Sequence, residues 1–490
     1  MRHHLDELYK QNLSLLTDFY QLTMAYGYWK SGQSDREGVF HLFFRKNPFQ
    51  GGFAIACGLS HVIDYLKGFH FDDSDLDYLA GILGNDNKPL FERMFLNQLS
   101  KLNFACDIDA IPDGTVVFPH EPIIRVKGPI IQAQILESAL LNIVNFQTLI
   151  ATKAARVKHV AGDKHVVEFG LRRAQGVDGA LSASLAAYVG GCDTTSNVLA
   201  GKLYGIPVTG THAHSWVMSF DDELESFQAY AKVMPNNCVF LVDTYDTIEG
   251  VKKAIEVGHW LRKQGHDLVG IRLDSGDLAY LSIEARKLLD DAGFANAVIV
   301  ASNDLDENII DSLNDQGATV GVWGVGTKLV TGYDQPALGG VYKLTAIRRT
   351  GENWEYKLKL SEQAIKISTP GIQQVRRYFA DGHFAGDVIF DELNPPKGIF
   401  VMVDPLDMTR RKKMSQETEH IDLLVPIFRE GRLVYKLPAI VESKNLARKQ
   451  LSGLHAGIKR LLYPHQYPVG LEQNLHELKT KLILKARGLV

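Results

Sequence analysis

Apolar and polar positions fall into three rhythms along the chain. The first stretch mixes helical and strand periods. Residues 17–29 are rich in apolar side chains, and Thr17 or Asp18 is suited to start the helix they predict. Segments 39–44 and 53–57 read as strands. Residues 104–125, rich in β-branched side chains and broken by Pro112, Gly114 and Pro119, read as short antiparallel strands. A helix is predicted over 132–155.

From there to about residue 342 the texture becomes a regular strand–loop–helix alternation. Strands are predicted at 165–169, 207–210, 239–242, 268–273, 298–301 and 319–323. Helices follow, one over 247–264 and another that carries Leu281, Ala285, Leu288 and Leu289 on one face and stops at Gly293. Repeated βα units imply parallel strands with helical crossovers, either a barrel or a doubly wound sheet. Polar or glycine-rich loops follow nearly every strand, and this favours a barrel. Beyond about residue 351 the rhythm is lost and the chain becomes more basic. Arg376 and Arg377 stand out there, as does the run from Arg410 to Lys413, which reads as a solvated loop. Residues 454–490 read as helical surface sequence around a Pro-containing turn. The pattern divides the chain into an N-terminal α+β domain (1–135), a (β/α) barrel (136–345) and a C-terminal region (346–490).

Composition narrows the class. With 490 residues and 45% hydrophobic content the chain exceeds one core, since single cores stop growing at roughly 250–300 residues. A net charge of −4 argues against a nucleic-acid partner. No apolar run approaches the ~20 residues needed to span a membrane, and the N-terminus lacks a signal-peptide core, so a cytoplasmic location is expected. Cys57, Cys106, Cys192 and Cys238 are far apart and read as reduced, buried thiols. His212 and His214 form a His-x-His without a third ligand nearby, which is weak support for a metal site.

The candidate chemistry lies in six strand-end loops. Gly324-Val325-Gly326-Thr327 allows close backbone approach to an anion, although it is neither a P-loop nor a dinucleotide fingerprint and such a turn is often only structural. Arg172, Arg173 and Arg272 offer paired donors to carboxylate or phosphate. Asp243 with Asp246, and Asp274 with Asp277, suit Mg²⁺ held jointly with substrate phosphates, but Asp246 and Asp277 are equally placed to cap helices. His214, beside Thr211 and Ser215 at the mouth of a helix, is a competent nucleophile toward a phosphoryl group. Together these parts describe a phosphorylated, partly anionic substrate handled with Mg²⁺.

Several longer motifs carry a family resemblance. Glu-Phe-Gly-Leu-Arg-Arg-Ala-Gln-Gly (168–176), Gly-Thr-His-Ala-His-Ser (210–215), Arg-Leu-Asp-Ser-Gly-Asp (272–277) and Gly-Val-Gly-Thr (324–327) resemble nicotinate phosphoribosyltransferases. So do Leu-Thr-Asp-Phe-Tyr-Gln-Leu-Thr-Met (16–24) and Leu-Gly-Gly-Val-Tyr-Lys-Leu (338–344). The resemblance implies an α/β, type II phosphoribosyltransferase fold: an irregular (β/α) barrel, with an N-terminal α+β domain joined by part of the C-terminal sequence. It implies a homodimer with shared active sites. The implied reaction joins nicotinate and phosphoribosyl pyrophosphate, coupled to ATP hydrolysis, as the first step of NAD salvage from nicotinate.

Residue by residue, the resemblance makes His214 a transiently phosphorylated histidine, and Arg272 the partner of the nicotinate carboxylate. Phe169 would stack on the pyridine ring, as would Tyr20 supplied by the partner subunit. Arg172 would neutralise substrate phosphate. Asn303, Gly326 and Thr327 would hold the ribose 5-phosphate, Thr211 and Ser215 would contact phosphate, and Asp243 and Asp274 would hold Mg²⁺, with Asp274 counted among the catalytic residues.

Three rivals remain. Nicotinamide phosphoribosyltransferases share the fold, but the 168–176 and 210–215 stretches resemble the nicotinate enzymes. A barrel aldolase or sugar-phosphate isomerase would use a strand-end lysine or an acid/base pair, and Lys328 is the one such lysine that stands out. A non-catalytic phosphate-binding module would have dispensed with the arginines and His214.

Overall fold

The computed structural model describes residues 12–489, and the chain divides into two compact units. One is continuous, Leu149–Pro336; the other combines the residues up to Thr148 with those from Ala337 onward.

The continuous unit is built on six parallel strands in the order Thr194–Thr195, His165–Glu168, Val322–Val325, Val298–Ala301, Gly270–Leu273, Val239–Leu241. Helices such as Thr247–Lys263 and Leu278–Asp291 cover it, burying Val251, Ala254, Val257 and Leu261 from the first and Ala285 and Leu289 from the second. Four of the expected strands sit within a residue or two of their expected bounds. Two expectations change. The stretch 207–210 forms no strand; it contributes one bridge, Val208 to Thr195. The sixth strand is Thr194–Thr195, too short to leave an apolar run. The stretch expected at 319–323 begins pairing later, at Val322.

The sheet is a half-barrel in which no ladder joins the Thr194–Thr195 edge to the Val239–Leu241 edge. A side chain spans that seam. His212 Nε2 accepts the backbone N–H of Leu241 at 3.2 Å.

In the discontinuous unit, a seven-stranded sheet runs in the order Glu355–Tyr356, Gly340–Arg349, Arg36–Phe44, Ile124–Pro129, Asp107–Ala110, Val425–Arg429, Arg432–Leu433, antiparallel throughout. N-terminal and C-terminal sequence thus share one sheet. A second, six-stranded sheet is made entirely from residues after 372. Its core packs Tyr378, Val388, Phe400, Met402 and Met414. Val469–Glu472 is a largely buried strand of this sheet, where surface helix was expected. Arg411–Ser415 is an edge strand rather than a loop, with Arg411, Lys412 and Lys413 exposed as expected. Arg377, by contrast, lies in the interior. It is fully buried against Asp387, which also accepts from the Tyr467 hydroxyl at 2.7 Å.

Candidate active site

The loops at the carboxyl ends of the parallel strands converge, and Arg272 is at their centre. Along Gly270–Leu273, Ile271 and Leu273 are buried while Arg272, between them, keeps some exposure. Its Nε donates to Ser302 Oγ at 2.8 Å, its Nη1 to Thr211 Oγ1 at 3.2 Å, and its Nη2 to Asp274 Oδ1 at 2.9 Å. A guanidinium has five N–H donors. Three are engaged, so each terminal nitrogen keeps one for a ligand. The guanidinium carbon lies 5.3 Å from the centre of the Phe169 ring. A flat, cationic and aromatic setting of this kind suits a planar ring that bears an anionic group.

Phe169 and the turn after it each depend on a glycine. A Cβ at Gly324 would come within 2.6 Å of the Phe169 ring, and one at Gly170 within 2.2 Å of Val330. Gly324 thus makes room for the ring, a role apart from anion binding. Gly326 caps the four-residue helix Thr327–Val330, which leaves Thr327 at its first position.

The acidic residues sort themselves. Asp246 accepts the N–H of Glu249 at 2.9 Å, and Asp277 those of Ala279 and Tyr280, both at 3.1 Å, so these two cap helices. Asp243 and Asp274 do not. Asp243 Oδ2 accepts from the Asp274 backbone at 2.9 Å and the Ser275 hydroxyl at 2.5 Å, which joins the two loops. Its Oδ1 is buried with no hydrogen-bond partner. A lone buried carboxylate oxygen next to a second carboxylate fits a hard cation. Among the described residues no group of three His, Cys, Asp or Glu is placed to hold a metal ion. A cation at Asp243 would therefore draw most of its shell from phosphate oxygens and water.

His214 Nδ1 lies 3.1 Å from Thr244 Oγ1, and Nε2 lies 3.7 Å from Asp274 Oδ2. The helix it begins, His214–Met218, has only five residues, so its dipole adds little to the attraction of an anion here. Ser215 is exposed on the same turn. His212 belongs elsewhere. Burial pushes its pKa down to about 4, and it packs beside Phe227, Tyr230 and Phe240 as a neutral ring. It is a structural residue, and the His-x-His is not a ligand pair.

Arg172 and Arg173 lie on the exposed turn Leu171–Arg173 and pair with no carboxylate among the described residues. Asn303, in the loop after Ala301, is exposed at φ 111°, a positive backbone angle uncommon for a residue other than glycine. Lys328 donates to Asp306 at 2.7 Å. Burial alone would lower its pKa, but the hydrogen bond and charge of Asp306 outweigh that and raise it, which opposes use as a Schiff-base amine. Tyr20 belongs to the other unit. It is 49% exposed on Phe19–Lys30, whose buried side is Gln21, Leu22 and Ala25.

Two residues of this site were not singled out from sequence. Ser302 directly follows the apolar strand Val298–Ala301 and carries no pattern of its own. Glu168, fully buried, accepts from Ser184 at 2.8 Å, from Thr195 at 2.6 Å and from the Gly170 backbone, and so fixes the turn that carries Arg172. An acid at the end of an apolar strand was the available signal for Glu168.

Comparison with known proteins decides among the rivals. Residues 15–145 match the nicotinate phosphoribosyltransferase N-terminal domain, 164–373 the nicotinate phosphoribosyltransferase (NAPRTase) family and 372–479 its C-terminal domain. The chain belongs to the nicotinate phosphoribosyltransferase family. It is 45% identical to the Bacillus subtilis nicotinate phosphoribosyltransferase, with 96% of this chain and 97% of that protein covered. Identity to the human enzyme of that name is 35%, covering 96% of each. The crystal structure of human nicotinic acid phosphoribosyltransferase matches with a TM-score of 0.82 at 33% identity, covering 95% of this chain and 99% of that one. A nicotinate-nucleotide pyrophosphorylase from Pyrococcus furiosus, at 21% identity and TM-score 0.67, shares the fold. These family matches support the nicotinate reading over the nicotinamide one. Among the described residues no helix is long and apolar enough to cross a membrane.

Proposed function

We propose that this chain joins nicotinate to phosphoribosyl pyrophosphate, giving nicotinate mononucleotide and pyrophosphate, with ATP hydrolysed alongside. Arg272 carries the reading. Its two free N–H groups, beside the Phe169 ring, form a fork for the carboxylate of an aromatic acid. A neutral carboxamide would forfeit the charge of that contact.

The chemistry follows from charge development. As pyrophosphate departs, C1 of the ribose takes on oxocarbenium character and the pyridine nitrogen attacks it. That nitrogen already holds a free lone pair, so no strong base is needed. Arg272 and Phe169 set the ring's position, and Arg172 neutralises phosphate. Asn303, Gly326 and Thr327 are assigned to the ribose 5-phosphate, and Ser215 to phosphate. Thr211, whose hydroxyl is already engaged by Arg272, would contact phosphate only by sharing that hydroxyl. Asp243 and Asp274 would hold Mg²⁺, which when bound would supply positive charge to the leaving pyrophosphate.

ATP coupling is assigned to His214. A ring nitrogen takes the γ-phosphoryl group, ADP leaves, and water later releases phosphate. Tyr20 of a second subunit completes the pyridine site, and the enzyme works as a cytoplasmic homodimer.

Nicotinate mononucleotide formation from nicotinate and phosphoribosyl pyrophosphate, with and without ATP, tests the reading. Product should form in both cases and faster with ATP. Equal or greater efficiency with nicotinamide would overturn it.

A further inference from the structure

Ser302 sits directly behind the arginine fork. It is 3% exposed, at the carboxyl end of Val298–Ala301, and its backbone N–H donates to Leu273 O at 2.9 Å. Its hydroxyl accepts from Arg272 Nε at 2.8 Å and donates to Asp274 Oδ1. That same oxygen accepts from Arg272 Nη2 at 2.9 Å. Arginine, serine and aspartate therefore close a ring of three hydrogen bonds in which the serine separates Nε from the carboxylate.

Consider the ring without that hydroxyl. Nε would be left without a partner in a largely buried position, and Asp274 would have lost a donor. The lowest-energy answer to both losses is for the guanidinium to turn and meet Asp274 through Nε and Nη2 together, the bidentate arrangement that arginine and carboxylate prefer. Such a turn carries the two free N–H groups away from the ligand. Holding Nε on a neutral acceptor keeps the aspartate to a single terminal nitrogen and leaves the fork aimed outward.

We infer that Ser302 is a specificity-determining positioning residue, which keeps Arg272 from collapsing onto Asp274 and so maintains selection for a carboxylate-bearing ring. The inference rests on the assignment of Arg272 to the nicotinate carboxylate. Ser302 does not touch the substrate; it acts through the arginine.

Steady-state kinetics on the intact enzyme tests it. Ser302→Ala should raise KM for nicotinate about tenfold, the loss of roughly one charge-assisted hydrogen bond. KM for phosphoribosyl pyrophosphate and kcat at saturating nicotinate should change little, because the lost interaction is ground-state binding of one substrate. Discrimination against nicotinamide should narrow, since the neutral ring gains less from the fork. Ser302→Cys, close in volume but a poorer acceptor, should shift the same parameters in the same direction by less, and thermal melting of both variants reports folding. In Arg272→Ala/Ser302→Ala, KM for nicotinate should be no higher than in Arg272→Ala alone. An equal rise in KM for both substrates, or additive effects in the double variant, would overturn the role of Ser302. An unchanged KM for nicotinate in Arg272→Ala itself would instead overturn the assignment on which it rests.

Discussion

His212 Nε2 accepts the backbone N–H of Leu241 across the open seam of the half-barrel. Because Nε2 is the acceptor, the ring proton sits on Nδ1, and protonating Nε2 would break the contact. Burial has already lowered the pKa of this histidine to about 4 in the folded chain, against about 6.5 when unfolded. Between those values the unfolded chain binds the extra proton, so stability falls as pH drops from about 6.5 toward 4. His212→Gln, which keeps an acceptor but does not titrate, should flatten the dependence there by up to about 1.4 kcal/mol per pH unit. Urea unfolding at pH 7, 6 and 5 measures it, and parallel curves for variant and parent would contradict the assignment.

Arg272→Ala should raise the nicotinate requirement far more than that for phosphoribosyl pyrophosphate. A charge-assisted contact contributes about 1.5–3 kcal/mol, which corresponds to a more than tenfold change in affinity. An apparent nicotinate affinity within about twofold of the parent would be too small for that contact.

His214 should carry phosphoryl label after incubation with γ-labelled ATP. The label should be acid-labile and base-stable and should vanish in His214→Ala, which should retain some ATP-independent synthesis. Label persisting in the variant would put the phosphorylation on another residue.

Tyr20, half-exposed on a helix whose buried side lies elsewhere, should act in the site of a second subunit. Tyr20→Ala and Arg272→Ala homodimers should both be impaired. Mixing them brings both defects into one site and leaves the other intact, so activity should partly recover. Verified heterodimers with no recovery would end the shared-site idea.

Arg377→Ala should destabilise the chain by about 3–5 kcal/mol, because it strands a buried Asp387. Asp387 has further company: burial first, and then Asp387 itself, push the Glu121 carboxyl well above the ordinary range. Thermal melting checks this, and a change below about 1 kcal/mol would mean the pair contributes little.

Much of the site was legible because parallel strands announce themselves locally. An apolar run, a polar loop and an amphipathic helix recur in order, and the loops after 168, 242, 273 and 301 fall where the structure puts them, whereas the turn expected at 324–327 starts two residues later because Gly324 and Val325 end the strand Val322–Val325. Relations between loops were not legible. The contact of His212 with Leu241 and that of Ser302 with Arg272 each join residues about thirty apart, through side chains whose directions depend on the curl of the sheet. Thr194–Thr195 left no pattern because two residues cannot show a period. Val469–Glu472 was hidden by the prolines just before it, Pro464 and Pro468, and by the helix that follows. The burial of Arg377 was not legible because its counterion, Asp387, is on the neighbouring strand.

The pairing of Arg36–Phe44 with Gly340–Arg349 also sets an order of assembly. On a ribosome, Arg36–Phe44 and its other neighbour, Ile124–Pro129, emerge early, and the whole of Leu149–Pro336 is synthesised before the remaining partner exists. Until then one edge of a strand whose last seven residues are buried in the finished fold has no mate. Such an edge is a template for intermolecular association. Recovery of native enzyme after synthesis should accordingly depend on how quickly translation passes residue 349, or on a chaperone shielding that edge in the interval.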